Sequence, residues 1–84
     1  MSSTPYTFAL HTFAQDVLNH RHKAAPGWMR GKPLPYRAAA AVAGVSAQTI
    51  LRAERSRAVP DVAQFLRLCA WMNASPSRYF IRKG

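Results

Sequence analysis

Three histidines, one cysteine and three acidic side chains are the residues of this 84-residue chain whose types could support covalent or metal chemistry. His11, His20 and His22 fall in the first quarter with Asp16 as the nearest ligand of another type, whereas a structural zinc needs four donors at set spacings. The set is too small, and no metal or cofactor is expected. Cys69 has no second thiol for a disulfide or a metal site, and it lies inside an apolar helical pattern, so it reads as a buried structural thiol. Asp16, Glu54 and Asp61 are scattered, and no nucleophile stands near a histidine in sequence, which leaves no acid and base pair. The chain reads as a protein that is not an enzyme.

Cations are what the chain has in quantity. Twelve Lys and Arg against three acidic residues give a formal charge of +9, a large self-repulsion that a polyanion would relieve. Nucleic acid is the leading partner, because neutralising phosphates with Lys and Arg supplies most of the sequence-independent binding energy. An anionic membrane surface is the alternative. No apolar run approaches the roughly 20 residues that span a bilayer, and Met1 to Thr7 carry no basic region ahead of an apolar stretch. The chain therefore reads as soluble and intracellular, with no membrane association and no small-molecule ligand expected.

A chain of this size buries only about 60% of the surface its unfolded form exposes, so it supports one core and one domain, residues 1–84. Apolar residues make up 49% of it, enough to fill that core. The pattern predicts an all-α domain of about five helices. The first is expected at about 5–23, with Thr4 as cap, Pro5 at the first helical position and an apolar face of Leu10, Phe13, Ala14, Val17 and Leu18. Tyr6 to Phe13 also show some strand-like alternation, which makes the start of this helix its least defined boundary. The prolines and glycines of 24–35 predict a loop, with Trp28 read first as the anchor that packs it onto the domain and second, as an aromatic beside Arg30 and Lys32, as a side chain that lies on a nucleic-acid backbone.

An alanine-rich helix is then expected from Pro35, with Gly44 reversing the chain and Ser46 capping a following helix that ends at Glu54. Two short helices joined through a glycine, over 35–54, make a helix-turn-helix. A further helix is predicted at about 61–72, capped by Asp61, with Val62, Phe65, Leu66, Leu68, Cys69 and Met72 on its apolar face. Asn73 is suited to close it, and 76–81 is expected to form a C-terminal turn.

Taken together, LPYRAAAAVAGVSAQTILRAERSRAVPDVAQFLRLCAWMNASPSRYF resembles the Cro/C1-type helix-turn-helix domain of phage and bacterial repressors, a lambda-repressor-like fold. The resemblance runs without gaps over residues 34–80. It rests on the small Ala40, the turn Gly44-Val45-Ser46, the apolar Ile50, Glu54 followed by basic residues and Pro60, and the closing Asn73-Ala74-Ser75-Pro76. It implies that the helix 46–54 enters the major groove of double-stranded DNA while the preceding helix crosses the backbone. Ile50 and Ala53 would then face inward, leaving Ala47, Gln48, Leu51 and Arg52 to read bases. Gln48 suits adenine, Arg52 suits guanine or a phosphate, and Ala47 and Leu51 suit a thymine methyl.

Tyr36, Arg37, Ser46, Thr49, Arg55 and Arg57 are the expected phosphate contacts, which set register without reading sequence. Arg30 and Lys32 are possible loop contacts to DNA. The resemblance also implies an ion pair between Glu54 and an arginine of the first helix, for which Arg21 is the first choice and Arg37 the second. Three departures from the family stand out. Tyr36 occupies a position where a glutamine is common, about twelve residues join the first two helices where the family uses a few, and Ser56 stands where a glycine is common.

The function implied is transcription regulation by a sequence-specific, DNA-associated protein of the bacterial or phage-infected cytoplasm. A Cro-like repressor binding a palindromic operator as a homodimer is the simplest form. Tyr79, Phe80 and Ile81 are its candidate dimer surface, although they could equally be core. The alternative is a protein-interaction module of the same fold, such as an antitoxin or a polymerase-binding or regulator-binding protein. It would depend on Trp71, Tyr79, Phe80 and Ile81.

Overall fold

A computed structural model describes residues 6–55 and 59–82. In chain order they form a strand β1 (Tyr6–Phe8), a helix α1 (Leu10–Lys23), a single 3₁₀ turn (Gly27–Met29), and the helices α2 (Tyr36–Ala43), α3 (Ala47–Glu54) and α4 (Val62–Met72). A second 3₁₀ turn (Pro76–Tyr79) leads into a strand β2 (Phe80–Arg82). The domain is mostly helical, with four α-helices among the described residues where about five helices were expected. The C-terminal segment is a 3₁₀ turn and a strand.

The two short strands correct the all-α reading. β1 and β2 pair antiparallel, with Tyr6 opposite Arg82 and Phe8 opposite Phe80, so the alternation at the start of the chain belongs to a strand. Ala9 donates its N–H to the Tyr79 carbonyl at 2.6 Å, which carries the pairing up to the point where α1 starts. α1 therefore begins at Leu10, without a side-chain cap, and the expected start near residue 5 does not hold. Thr4 and Pro5 lie outside the described residues.

The core forms where the inner faces of the four helices meet the strand pair. α1 contributes Phe13, Ala14 and Val17, α2 contributes Ala39, Ala40 and Ala43, α3 contributes Ile50 and Ala53, and α4 contributes Phe65, Leu68 and Cys69. Alanines on α2 keep its surface low, so neighbouring helices approach closely. Phe8, Phe13, Phe65 and Tyr79 meet largely edge to face, with Phe13 and Tyr79 centroids 5.0 Å apart, the arrangement that aromatic quadrupoles favour. The apolar face of α4 is narrower than its sequence suggested, since Val62 and Leu66 are exposed.

α4 is bounded by local chemistry. Asp61 Oδ1 accepts the Gln64 N–H at 2.9 Å, and Asn73 closes the helix in the left-handed conformation at φ 54°, one that asparagine tolerates better than most residues. The Cys69 thiol is buried, and burial pushes its pKa up, as expected for an inert structural thiol. Trp71 is half-buried and stands edge-on to the His20 ring at 4.5 Å.

Asp16 ties α1 to the C-terminal turn. Its Oδ2 accepts from Arg78 Nε at 2.8 Å and from the Tyr79 hydroxyl at 2.9 Å. Burial by itself would raise the Asp16 pKa, but these two hydrogen bonds and the Arg78 charge outweigh it and hold the carboxyl below its ordinary value. A carboxyl whose pKa is depressed on folding adds stability above its unfolded pKa, near 4, and loses it as pH falls through the folded value. Asp16→Asn is therefore expected to lower stability at pH 7 and to flatten the acid limb of the stability curve below about pH 4. Urea titrations from pH 7 to pH 2.5 measure this, and parallel acid limbs in the two proteins would show that Asp16 contributes nothing.

Candidate functional site

α2 and α3 meet through a three-residue turn whose conformation is set locally. Gly44 closes α2 at φ 79°, with its N–H on the Ala40 carbonyl at 2.8 Å, and the Val45 N–H reaches the same carbonyl at 3.1 Å. A Cβ at Gly44 would meet nothing nearer than Arg67 Cδ at 3.8 Å, so the positive φ, and not crowding, is what favours glycine there. Arg67 Nη1 donates to the Gly44 carbonyl at 3.2 Å and links the turn to α4.

Ser46 is extended and caps α3, its Oγ accepting the Thr49 N–H at 3.1 Å. Thr49 gives its one hydroxyl proton to Gln64 Oε1 at 2.6 Å, so Ser46 is the donor in the 2.8 Å contact between the two hydroxyls. The chain Ser46–Thr49–Gln64 thus fastens the start of α3 to α4. Both hydroxyl protons expected to meet phosphates are already engaged within the protein.

Inward, α3 buries Ile50 and Ala53 completely or nearly so. Outward, Gln48 and Arg52 are exposed, and at a spacing of four they share one side of the helix. The amide presents a donor beside an acceptor and the guanidinium a fork of donors, which are the groups that engage base edges in pairs. Ala47 and Leu51 are only half-buried and exposed in part, with Ala47 packed on the core margin. A hollow of about 330 Å³ beside this face has Gln48 and Arg52 on one wall and Val59, Pro60 and Asp61 on the other.

The opposite end of α3 is held by a buried ion pair. Of the two arginines weighed as partners for Glu54, Arg21 is the one that reaches it. Arg21 Nε lies 2.6 Å from Oε2 and Nη2 lies 3.0 Å from Oε1, with the two side chains 8% and 7% exposed. The hydrogen bond to Glu54 pushes the Arg21 pKa further up. Arg21 Nη1 also donates to the Leu34 carbonyl at 2.9 Å.

Tyr36 belongs to this cluster. Its hydroxyl donates to Glu54 Oε1 at 3.0 Å and accepts from Arg21 Nη2 at 3.3 Å, while the Arg21 guanidinium lies 4.1 Å over its ring. Burial and the neighbouring carboxylate push the Tyr36 pKa up, so the phenol stays protonated as a donor. The hydroxyl proton expected to meet a phosphate is therefore committed to Glu54. The sequence did not reveal this third member, because Tyr36 and Glu54 lie 18 positions apart.

The other cations are distributed around these two helices. Arg37 is exposed at the start of α2, Arg55 is exposed just past α3, and Arg30 and Lys32 are exposed on the loop, whereas Ser56 and Arg57 lie outside the described residues. Trp28 corrects its expected role as an anchor, since it is 79% exposed and packs on no core. Leu34 performs the anchoring, partly buried against the core with its N–H on the Arg21 carbonyl at 3.1 Å.

At the C-terminus, Tyr79 is fully buried and hydrogen-bonded to Asp16, which removes it from any free surface. Phe80 and Ile81 are 47% and 53% exposed on β2. Among the described residues, no three His, Cys, Asp or Glu side chains converge as metal ligands, and no helix is long and apolar enough to cross a membrane. No protein-family model, curated protein or solved structure matches this chain.

Proposed function

We propose that the chain is a sequence-specific DNA-binding regulator of the Cro/C1 helix-turn-helix type, in which α3 enters the major groove and α2 crosses the backbone. The observation that carries this reading is the outer side of α3. Gln48 and Arg52 stand exposed together there, while the one carboxylate of that helix, Glu54, is turned inward and neutralised by Arg21. An exposed acid at that place would repel phosphate.

Arg37 and Arg55 take the flanking phosphates in this arrangement, and the surface charge draws the protein to DNA. A short recognition helix gains affinity and specificity by pairing half-sites, so the functional species is a homodimer on a palindromic operator. Phe80 and Ile81 are the apolar surface available for pairing. Repression by occluding polymerase is the simplest output.

Selection of bound sequences from a random duplex library tests the reading, repeated with Gln48→Ala/Arg52→Ala. A palindrome with half-sites about one helical turn apart is expected. The double variant should lose about 1–3 kcal/mol of discrimination at each base pair that these side chains read. Binding with no enriched motif, equal in both proteins and steeply weakened by salt, would overturn the reading. The search would then move to a protein partner at Phe80 and Ile81.

A further inference from the structure

The segment between α1 and α2 leaves and returns at one place. It departs two residues after Arg21, and it comes back at Leu34, whose N–H and carbonyl are both bonded to Arg21. Arg21 in turn grips Glu54, the last residue of α3. The excursion 24–33 is therefore mounted on the C-terminal end of α3 and the N-terminal end of α2.

It is also built from defined turns. The Met29, Arg30 and Lys32 N–H groups close successive turns on the Pro26, Gly27 and Met29 carbonyls, and Arg30 and Gly31 both adopt positive φ. Arg30 holds a left-handed conformation that arginine rarely takes. At the head of this structure stands an indole that is almost wholly in solvent, with two cations two and four residues on.

An exposed tryptophan costs a soluble surface something and buries nothing here. Its surroundings name the partner. From residue 17 to residue 53 there is no acidic side chain, and Glu54 is consumed by Arg21, so the loop faces out with uncompensated positive charge. An apolar patch would suit a lipid or a protein, but one indole flanked by Arg30 and Lys32 suits a phosphodiester backbone. Aromatic faces pack on its sugars while the cations meet its phosphates.

We infer that the loop 24–33 is a second DNA contact, with Trp28 lying against the sugar-phosphate backbone beside the segment read by α3 and with Arg30 and Lys32 on its phosphates. The inference rests on the reading of α3 for its position but has a readout of its own. Trp71 is the second tryptophan of the chain, so Trp71→Phe makes the emission report on Trp28 alone. Adding duplex is expected to quench that emission and move it to shorter wavelength.

In the otherwise unaltered chain, Trp28→Ala removes an exposed side chain and leaves the fold intact. It should weaken duplex binding about two- to tenfold. Arg30→Ala/Lys32→Ala should reduce the slope of log affinity against log salt by about 1.8, the loss of two phosphate contacts. Specificity dependent on Gln48 and Arg52, combined with unchanged Trp28 emission and unchanged affinity in the loop variants, would overturn the loop contact and leave the α3 reading standing. Quenching with no motif dependent on Gln48 and Arg52 would do the reverse. A shift in emission that follows protein concentration without DNA would assign Trp28 to self-association and overturn the inference.

Discussion

Glu54→Ala is expected to lower the free energy of unfolding by about 3–5 kcal/mol, because it strands a buried guanidinium without its countercharge. Three hydrogen bonds end on this carboxylate, two from Arg21 and one from Tyr36. Removing it leaves Arg21 with the Leu34 carbonyl and the Tyr36 hydroxyl as its protein acceptors, neither of which carries a countercharge. In a domain of this size each kcal/mol moves Tm by about 4–8 °C, so the midpoint should fall by at least about 12 °C. The double substitution Arg21→Met/Glu54→Leu should recover much of this, since apolar residues of similar volume often replace a buried pair without loss. Thermal and urea unfolding of the two variants measure the difference. Equal loss in both would show that the geometry of the pair, and not the stranded charge, sets the cost.

Phe13→Ala is the second large effect expected, at about 3–5 kcal/mol. Phe13 is fully buried, with Phe8, Phe65 and Tyr79 at centroid distances of 5.5, 5.4 and 5.0 Å. Its loss opens a cavity between α1, α4 and the strand pair, and the ring neighbours on every side limit how far the site can collapse. Phe8 comes from β1 and Tyr79 from the turn before β2, so the damage should spread to the pairing of the chain ends. Phe13→Leu keeps most of the volume and should cost markedly less. Urea unfolding distinguishes them, and similar values for the two variants would show that aromatic contacts, more than volume, hold this corner.

The parts of the fold legible in the sequence were those set by local chemistry. Ser46 and Asp61 cap helices through their own side chains, Gly44 and Asn73 take positive φ, and the spacing of Ile50 and Ala53 turns them inward. Features joining distant positions were not. The strands are three residues long and pair positions 6–8 with 80–82, too short and too far apart for periodicity to register. Asp16 meets Arg78 and Tyr79 across more than sixty positions. The Arg21 and Glu54 contact, equally non-local, came from resemblance to a family and not from any pattern in the chain.

The candidate site divides in the same way. Gln48 and Arg52 are outward because helical spacing and a buried Ile50 leave them no other side. The hydroxyls of Tyr36, Ser46 and Thr49 were expected on phosphates because they are polar and near helix starts, but each found a protein partner first. The anchor reading of Trp28 fails for the opposite reason. Large aromatic rings usually anchor loops, and in this loop Leu34 takes that place.

The disposition of the carboxylates sets how this protein behaves as an electrolyte. Asp16 is engaged by Arg78, Glu54 by Arg21, and Asp61 by the first turn of α4, so every acid in the chain has been drawn into holding the fold. Asp61 is exposed and Asp16 partly so, but against twelve Lys and Arg they leave a large positive excess, which mobile anions must neutralise from outside. Whatever polyanion is present in a cell extract will compete for that task. Folding stability is therefore expected to rise with the concentration of anions that bind this surface, which thermal unfolding in increasing phosphate measures.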